Sequence, residues 1–277
     1  MGTVSLHIGI DLAWSTRART GLAAVHDDGA LAASTSVVTD DEIDEWLHGL
    51  GGPVSTPVST AAIDAPLIVT NPTGMRECEK LIGRAYGRYQ ASCHASSLRI
   101  AYLNPPRAAV LAGRHGWATD PAQRGSAESP VAIEVYPHAA MVGLFALGRT
   151  LKYKKGSVAT RRAAMFEVLD RIEGLEPLAL AANSRWQQIR HATAQAARPV
   201  ELNRIEDEVD AILCAHLAWL WHHRPGTLQV YGDASAGYII APPPPAHPAA
   251  HPAAHPATAG AAGRGDRSVG SIAAHPG

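Results

Sequence analysis

Apolar positions alternate with small or polar ones from the start of the chain. "VSLHIGIDLAW" reads as a strand, "TGLAAVHD" as a second and "LAASTSVV" as a third. The turn "HDDGA" joins the last two, and its Asp-Asp-Gly is a hairpin signal. After Thr39 the period changes: Ile43, Trp46, Leu47 and Leu50 fall on one helix face. Thr39 and Glu42 form a capping box that starts this helix. "GGPVSTPV" ends it, and "STAAIDAPLIV" supplies a fourth strand. Helices are then predicted for "GMRECEKLIGRAYGRY" after the turn "NPTG", for "HAAMVGLFAL" and for "SVATRRAAMFEVLDRIEG". The strongest helical pattern is "RIEDEVDAILCAHLAWLWHH". "VAIEVYP" is a fifth strand stopped by Pro137, Gln90 to Pro130 reads as loop with short helices, and "LQVYGD" with "GYIIAP" closes the ordered part.

The order βββαβ, with three antiparallel strands, a crossover helix and a parallel fourth strand, makes the core of the ribonuclease-H-like fold. The expected architecture is α/β: a mixed five-stranded sheet flanked by helices, with helical insertions. One domain spans residues 1–241. The remainder, 242–277, is rich in Pro, Ala and His, and such a composition buries too little apolar surface to offset ordering entropy. A disordered tail is expected there, with His247, His251 and His255 as weak metal ligands at most.

Composition narrows the function classes. The chain has 277 residues, a formal net charge of -1 and 46% hydrophobic residues. That suits one domain with additions, and it lacks the global basic footprint of many nucleic-acid binders. Three widely spaced cysteines suggest neither a disulfide framework nor a cysteine zinc site. Cys78 and Cys214 read as small core residues, and Cys93 beside His94 as a loop pair without a role. No stretch reaches the roughly 20 apolar residues of a membrane span, and no signal peptide is apparent, so a cytoplasmic protein is expected.

The chemistry lies in acids that interrupt apolar segments. Asp11 is on the first strand, Asp64 ends the fourth and Glu134 is on the fifth. Burying an unpaired carboxylate costs several kcal/mol, so such a group neutralises, pairs or binds a metal. Asp207, Asp210, Cys214, Leu217 and Trp221 form one stripe of the long helix, which turns Glu206 and Glu208 toward solvent. Asp207 and Asp210 are either helix-start acids favoured by the macrodipole or metal ligands. Hard divalent cations such as Mg²⁺ take carboxylates and water, and a two-metal site draws carboxylates from several elements. Asn71 and Arg76 follow the fourth strand closely enough to reach its mouth, with Ser15 and Thr20 beside Asp11. Lys152, Lys154 and Lys155 crowd together with no acid nearby and are candidate phosphate contacts.

"GIDLAWS…TGLA", "IDAPL…NPTGMRECEKLI…YG", "IEVYP", "LKYKKG", "DEVDAILCAHLA" and "GYIIAP" together resemble the DUF 429 family. Its members are described as predicted nucleases with a ribonuclease-H fold. The "D-x-x-D-A" from Asp207 to Ala211 also resembles the helix motif of Holliday-junction resolvases. The resemblance implies Mg²⁺- or Mn²⁺-dependent phosphodiester hydrolysis of DNA or RNA, with Asp11, Asp64, Glu134, Asp207 and Asp210 as catalytic and metal-binding acids. A non-catalytic scaffold of the same fold is the first alternative. A phosphotransferase of the actin-like superfamily is the second, though only one copy of the core and no Gly-rich adenosine loop is present.

Overall fold

A computed structural model describes residues 5–15, 17–50 and 56–246. The tail from residue 247 onward, with His247, His251 and His255, lies outside the described residues. Three strands open the chain: β1 (Leu6–Asp11), β2 (Thr20–His26) and β3 (Leu31–Val37). Helix α1 (Asp40–Gly49) follows, capped by Thr39 and Glu42 as the sequence predicts. Then come β4 (Val58–Ile63), α2 (Glu77–Tyr86), α3 (Arg107–Arg114), β5 (Val131–Glu134) and α4 (Pro137–Leu144). Helices α5 (Val158–Glu173), α6 (Ser184–Gln195) and α7 (Pro199–His223) precede a hairpin of β6 (Gln229–Asp233) and β7 (Gly237–Ala241).

The main sheet has the order β3-β2-β1-β4-β5. β1 runs antiparallel to β2 and parallel to β4, and β4 is parallel to β5. The molecule is thus an α/β structure with a mixed five-stranded sheet flanked by helices. Among the described residues, no helix is long and apolar enough to cross a membrane.

Helix α7 lies across β1, β2, β3 and β4, with α5 and α6 packed on it. Its middle, from Val209 to Trp221, is buried on every side, as expected of a helix apolar all round. Two glycines set its depth. A Cβ on Gly9 would stand 2.0 Å from the Ala211 carbonyl and 2.1 Å from the Ala215 nitrogen. One on Gly21 would stand 1.8 Å from the Asp207 carbonyl. Glycine on the strands facing alanine on the helix lets the backbones meet. Gly9→Ala should therefore push α7 off the sheet and cost about 3 kcal/mol or more, read by urea unfolding.

The expectation that Glu206 and Glu208 are solvated does not hold. Glu208 is buried and bonded by Arg185 of α6 at 2.7 Å and by Ser34 of β3 at 2.7 Å. Glu206 is partly buried and pairs with Arg161 of α5 at 2.8 Å. Both face the layer of helices that covers α7.

Candidate active site

In a strand, alternate residues share a face. Gly9 faces α7, so Asp11, two residues on, points to the same side. Ile63 pairs with Ile10 in the parallel ladder, and the Asp64 amide donates to the Ile10 carbonyl at 2.8 Å. Asp64 therefore stands level with Asp11, just past the end of β4. The α7 backbone at Asp207 passes over Gly21, the partner of Asp11 on β2. Asp210 follows one turn later. Four carboxylates from three elements thus gather at one end of the sheet.

Lys154, in the segment between α4 and α5, is their counter-ion. Its Nζ is 2.6 Å from Asp210 Oδ2 and 3.5 Å from Asp11 Oδ2. Tyr153 donates its hydroxyl to Asp210 at 2.6 Å. Asp210 is almost fully buried, whereas Lys154 remains partly exposed. Burial raises the Asp11 carboxyl to about 7, with Lys154 opposing and Asp210 and Asp207 adding to the rise. Burial also raises Asp207 to about 7, against the pull of Lys154. Asp64 is lifted well above the usual range by burial and then by Asp11. Burial works against the Lys154 charge, but Asp210 and Asp11 outweigh it and hold the ammonium protonated. Among the described residues, one ammonium stands between these four carboxylates, with Arg19 drawing on Asp207 from the cleft wall, which leaves the site short of positive charge.

Lys154→Ala removes that ammonium. The loss should be about 1–3 kcal/mol, discounted from the cost of breaking a fully buried pair because Lys154 is partly exposed. It should be largest above pH 7, where Asp11 and Asp207 are ionised, and shrink toward pH 5, where both are protonated. Chemical denaturation at the two pH values checks this.

Glu134 goes elsewhere. It pairs with Ile63 across the β4–β5 ladder, so it shares the face of Ile63 and Ile10, opposite to Asp11. There Arg76 binds it at 2.6 and 2.9 Å, and the Leu67 amide donates at 2.9 Å. Burial raises the Glu134 carboxyl, while Arg76 draws it down. Arg76 is itself buried; it also bonds Glu79 at 2.9 Å and the Ile68 carbonyl at 2.9 Å. The expected substrate contact at Arg76 is thus replaced by a buried ion-pair network. Asn71 likewise closes its own turn, donating to the carbonyls of Thr73, Gly74 and Ser96. Thr20 is buried and accepts from the Ala13 amide, whereas Ser15 lines the cleft. Lys152 and Lys155 are exposed on either side of Lys154.

An open cleft of about 480 Å³ lies over Asp11, Asp64 and Asp207, bounded by Trp14, Ser15, Arg19 and Tyr102. A smaller pocket of about 200 Å³ continues past Asp64 to His94, Glu134 and Tyr136. Trp14 stands between the two, 36% exposed, its ring 5.9 Å from Tyr102 and 6.4 Å from His94. These aromatics and Tyr153 carry no sequence signal of their own. Only exposure of a large ring beside an acid could have marked them.

The donor set is all oxygen, and its raised carboxyls mark a shortage of positive charge, which fits a hard divalent cation. Among the described residues, no three of these acids bring oxygens within 4.8 Å of one another, and Lys154 stands where two of them would approach a shared ion. The fold and site define an α/β protein with an acidic cleft at the C-terminal edge of its parallel strands. The chain belongs to the family described as "Protein of unknown function (DUF429)", whose model matches residues 9–236. No curated protein and no solved structure matches it.

Proposed function

We propose that this chain is a metal-dependent nuclease built on a ribonuclease-H-like core. The observation that carries the reading is the set of four carboxylates from β1, β4 and α7, held in one site with a single ammonium between them. The sheet order β3-β2-β1-β4-β5, with a long helix across it, supports that core. A purely structural site would gain stability by losing buried charge.

Asp11, Asp64, Asp207 and Asp210 would hold Mg²⁺ or Mn²⁺. When bound, such ions supply Lewis acidity and a water of lowered pKa. Tyr153 fixes the orientation of Asp210. Lys154 balances the acids and would leave Asp210 if they took up other positive charge. Arg19 on the cleft wall and the exposed Lys152 and Lys155 supply phosphate contacts. Trp14 and Tyr102 offer ring faces on which bases stack, a contact worth about 1–3 kcal/mol per base. Trp14→Ala should accordingly raise KM about tenfold or more and change kcat less.

Labelled single-stranded and duplex DNA and RNA, incubated with the full chain in Mg²⁺ or Mn²⁺, test the reading. Cleavage that needs the metal and stops in Asp64→Asn is expected. Uncut substrates of all four kinds, or cleavage unchanged in Asp64→Asn, contradict it.

A further inference from the structure

Helix α7 carries a second cluster at its other end. His7 shares the β1 face of Gly9 and Asp11, and four residues at about 3.3 Å each put it about 13 Å from Asp11 along the strand. It is wholly buried. Its Nε2 is 3.2 Å from Asp27 Oδ1, in the turn between β2 and β3. His223, the last residue of α7, places its own Nε2 3.1 Å from the same oxygen. Among the described residues, these are the only three whose ligand atoms all lie within 4.8 Å of one another.

We propose that His7, Asp27 and His223 form a zinc-class site, which takes one late first-row divalent cation and clamps the end of α7 to β1 and the β2–β3 turn. Bonds of 2.0–2.1 Å at tetrahedral angles separate two ligand atoms by about 3.3 Å. The two nitrogen–oxygen spacings already match that edge. Each ligand sits on a fixed element: His7 near the start of β1, paired with Val25 of β2 and Thr60 of β4, His223 on α7, and Asp27 in a turn whose carbonyl accepts from Trp219 Nε1 at 2.9 Å. His7 Nδ1 meets no partner among the described residues, so Asp27 alone directs the ring. The carbonyl end of α7 favours a cation at this point. Asp27 and His223 are partly exposed, which leaves a fourth position for water. Two nitrogens and one carboxylate oxygen select Zn²⁺ or Co²⁺ over Mg²⁺, in contrast to the all-oxygen site at the other end. The site stands whether or not the chain is a nuclease.

The test is titration of the EDTA-treated full chain with Zn²⁺ by calorimetry and with Co²⁺ by visible absorption. Wild type, Asp64→Asn and a His247→Ala/His251→Ala/His255→Ala tail variant should each take up one equivalent at the histidine site, and any ion held by the carboxylate cluster should be lost in Asp64→Asn alone. His223→Ala should bind at least about tenfold more weakly and lose the visible Co²⁺ bands and the Zn²⁺-dependent rise in melting temperature. His223 lies at a helix end, so that variant is expected to fold; Asp27→Asn, at an exposed turn, provides the same comparison. No uptake by wild type overturns the proposal. So does uptake unchanged in both His223→Ala and Asp27→Asn, or uptake lost with the tail histidines or with Asp64.

Discussion

Asp11→Asn should abolish nuclease activity and, at the same time, make the metal-free protein more stable. The activity loss is expected at about a thousandfold or more, because a ligand to metal-stabilised charge is worth several kcal/mol in the transition state. The stability gain follows from the raised carboxyl. Asp11 titrates at about 7 in the folded chain and near 4 when unfolded. Below pH 4 the group is protonated in both states and the substitution is neutral. Between pH 4 and 7 the unfolded chain ionises first, so the native aspartate becomes a growing liability, complete above pH 7. A rise from about 4 to about 7 corresponds to about 4 kcal/mol at most. The value of about 7 already contains the pull of Lys154, so the gain should be a few kcal/mol, or several degrees in melting temperature. Melting curves in EDTA at pH 4 and pH 8 check the sign. Such a trade of stability against function is common at catalytic sites.

Arg76→Met should have the largest cost to folding. Arg76 is the only cation bonded to Glu134 and Glu79 among the described residues, and all three are nearly inaccessible. Removing one partner of a buried pair costs about 3–5 kcal/mol, because the remaining charge is stranded. The melting temperature should fall by about 10 °C or more. Adding Glu134→Gln to Arg76→Met should recover part of that loss, and a double-mutant cycle reads the coupling directly. If Arg76 served substrate instead, the single variant would melt near wild type and lose only binding.

These two sites show how far the sequence could be read. The strand order βββαβ was legible, because alternation, the Asp-Asp-Gly turn and the Thr39–Glu42 capping box are local signals. Asp11, Asp64, Asp207 and Asp210 were legible as polar interruptions of apolar segments. Glu134 looked the same, yet one residue of register decides which face it takes. The pairing of Glu134 with Ile63 is a long-range fact that no local pattern encodes. The Arg76–Glu134 pair was hidden for the same reason, since Glu134 arrives from β5. Helix α6 left little trace: "SRWQQIRHATAQ" is polar over most of its length, and packing alone keeps it in place. Missing α6 made Glu208 look solvated, because Arg185, its partner, sits on that helix. His7 stood in the same stretch as Asp11 and on the same face, and the paired histidines at the end of α7 were equally visible. Neither had meaning until α7 was seen to run the length of β1.

The central claim, that the carboxylate cluster is a divalent-cation site, is tested most directly by calorimetric titration of the EDTA-treated chain with Mg²⁺ and Mn²⁺. Wild type, Asp11→Asn and Asp64→Asn should be compared under identical conditions. The account predicts binding by wild type that is lost or greatly weakened in both variants. Failure of wild type to bind either ion, or equal binding by all three proteins, would contradict it.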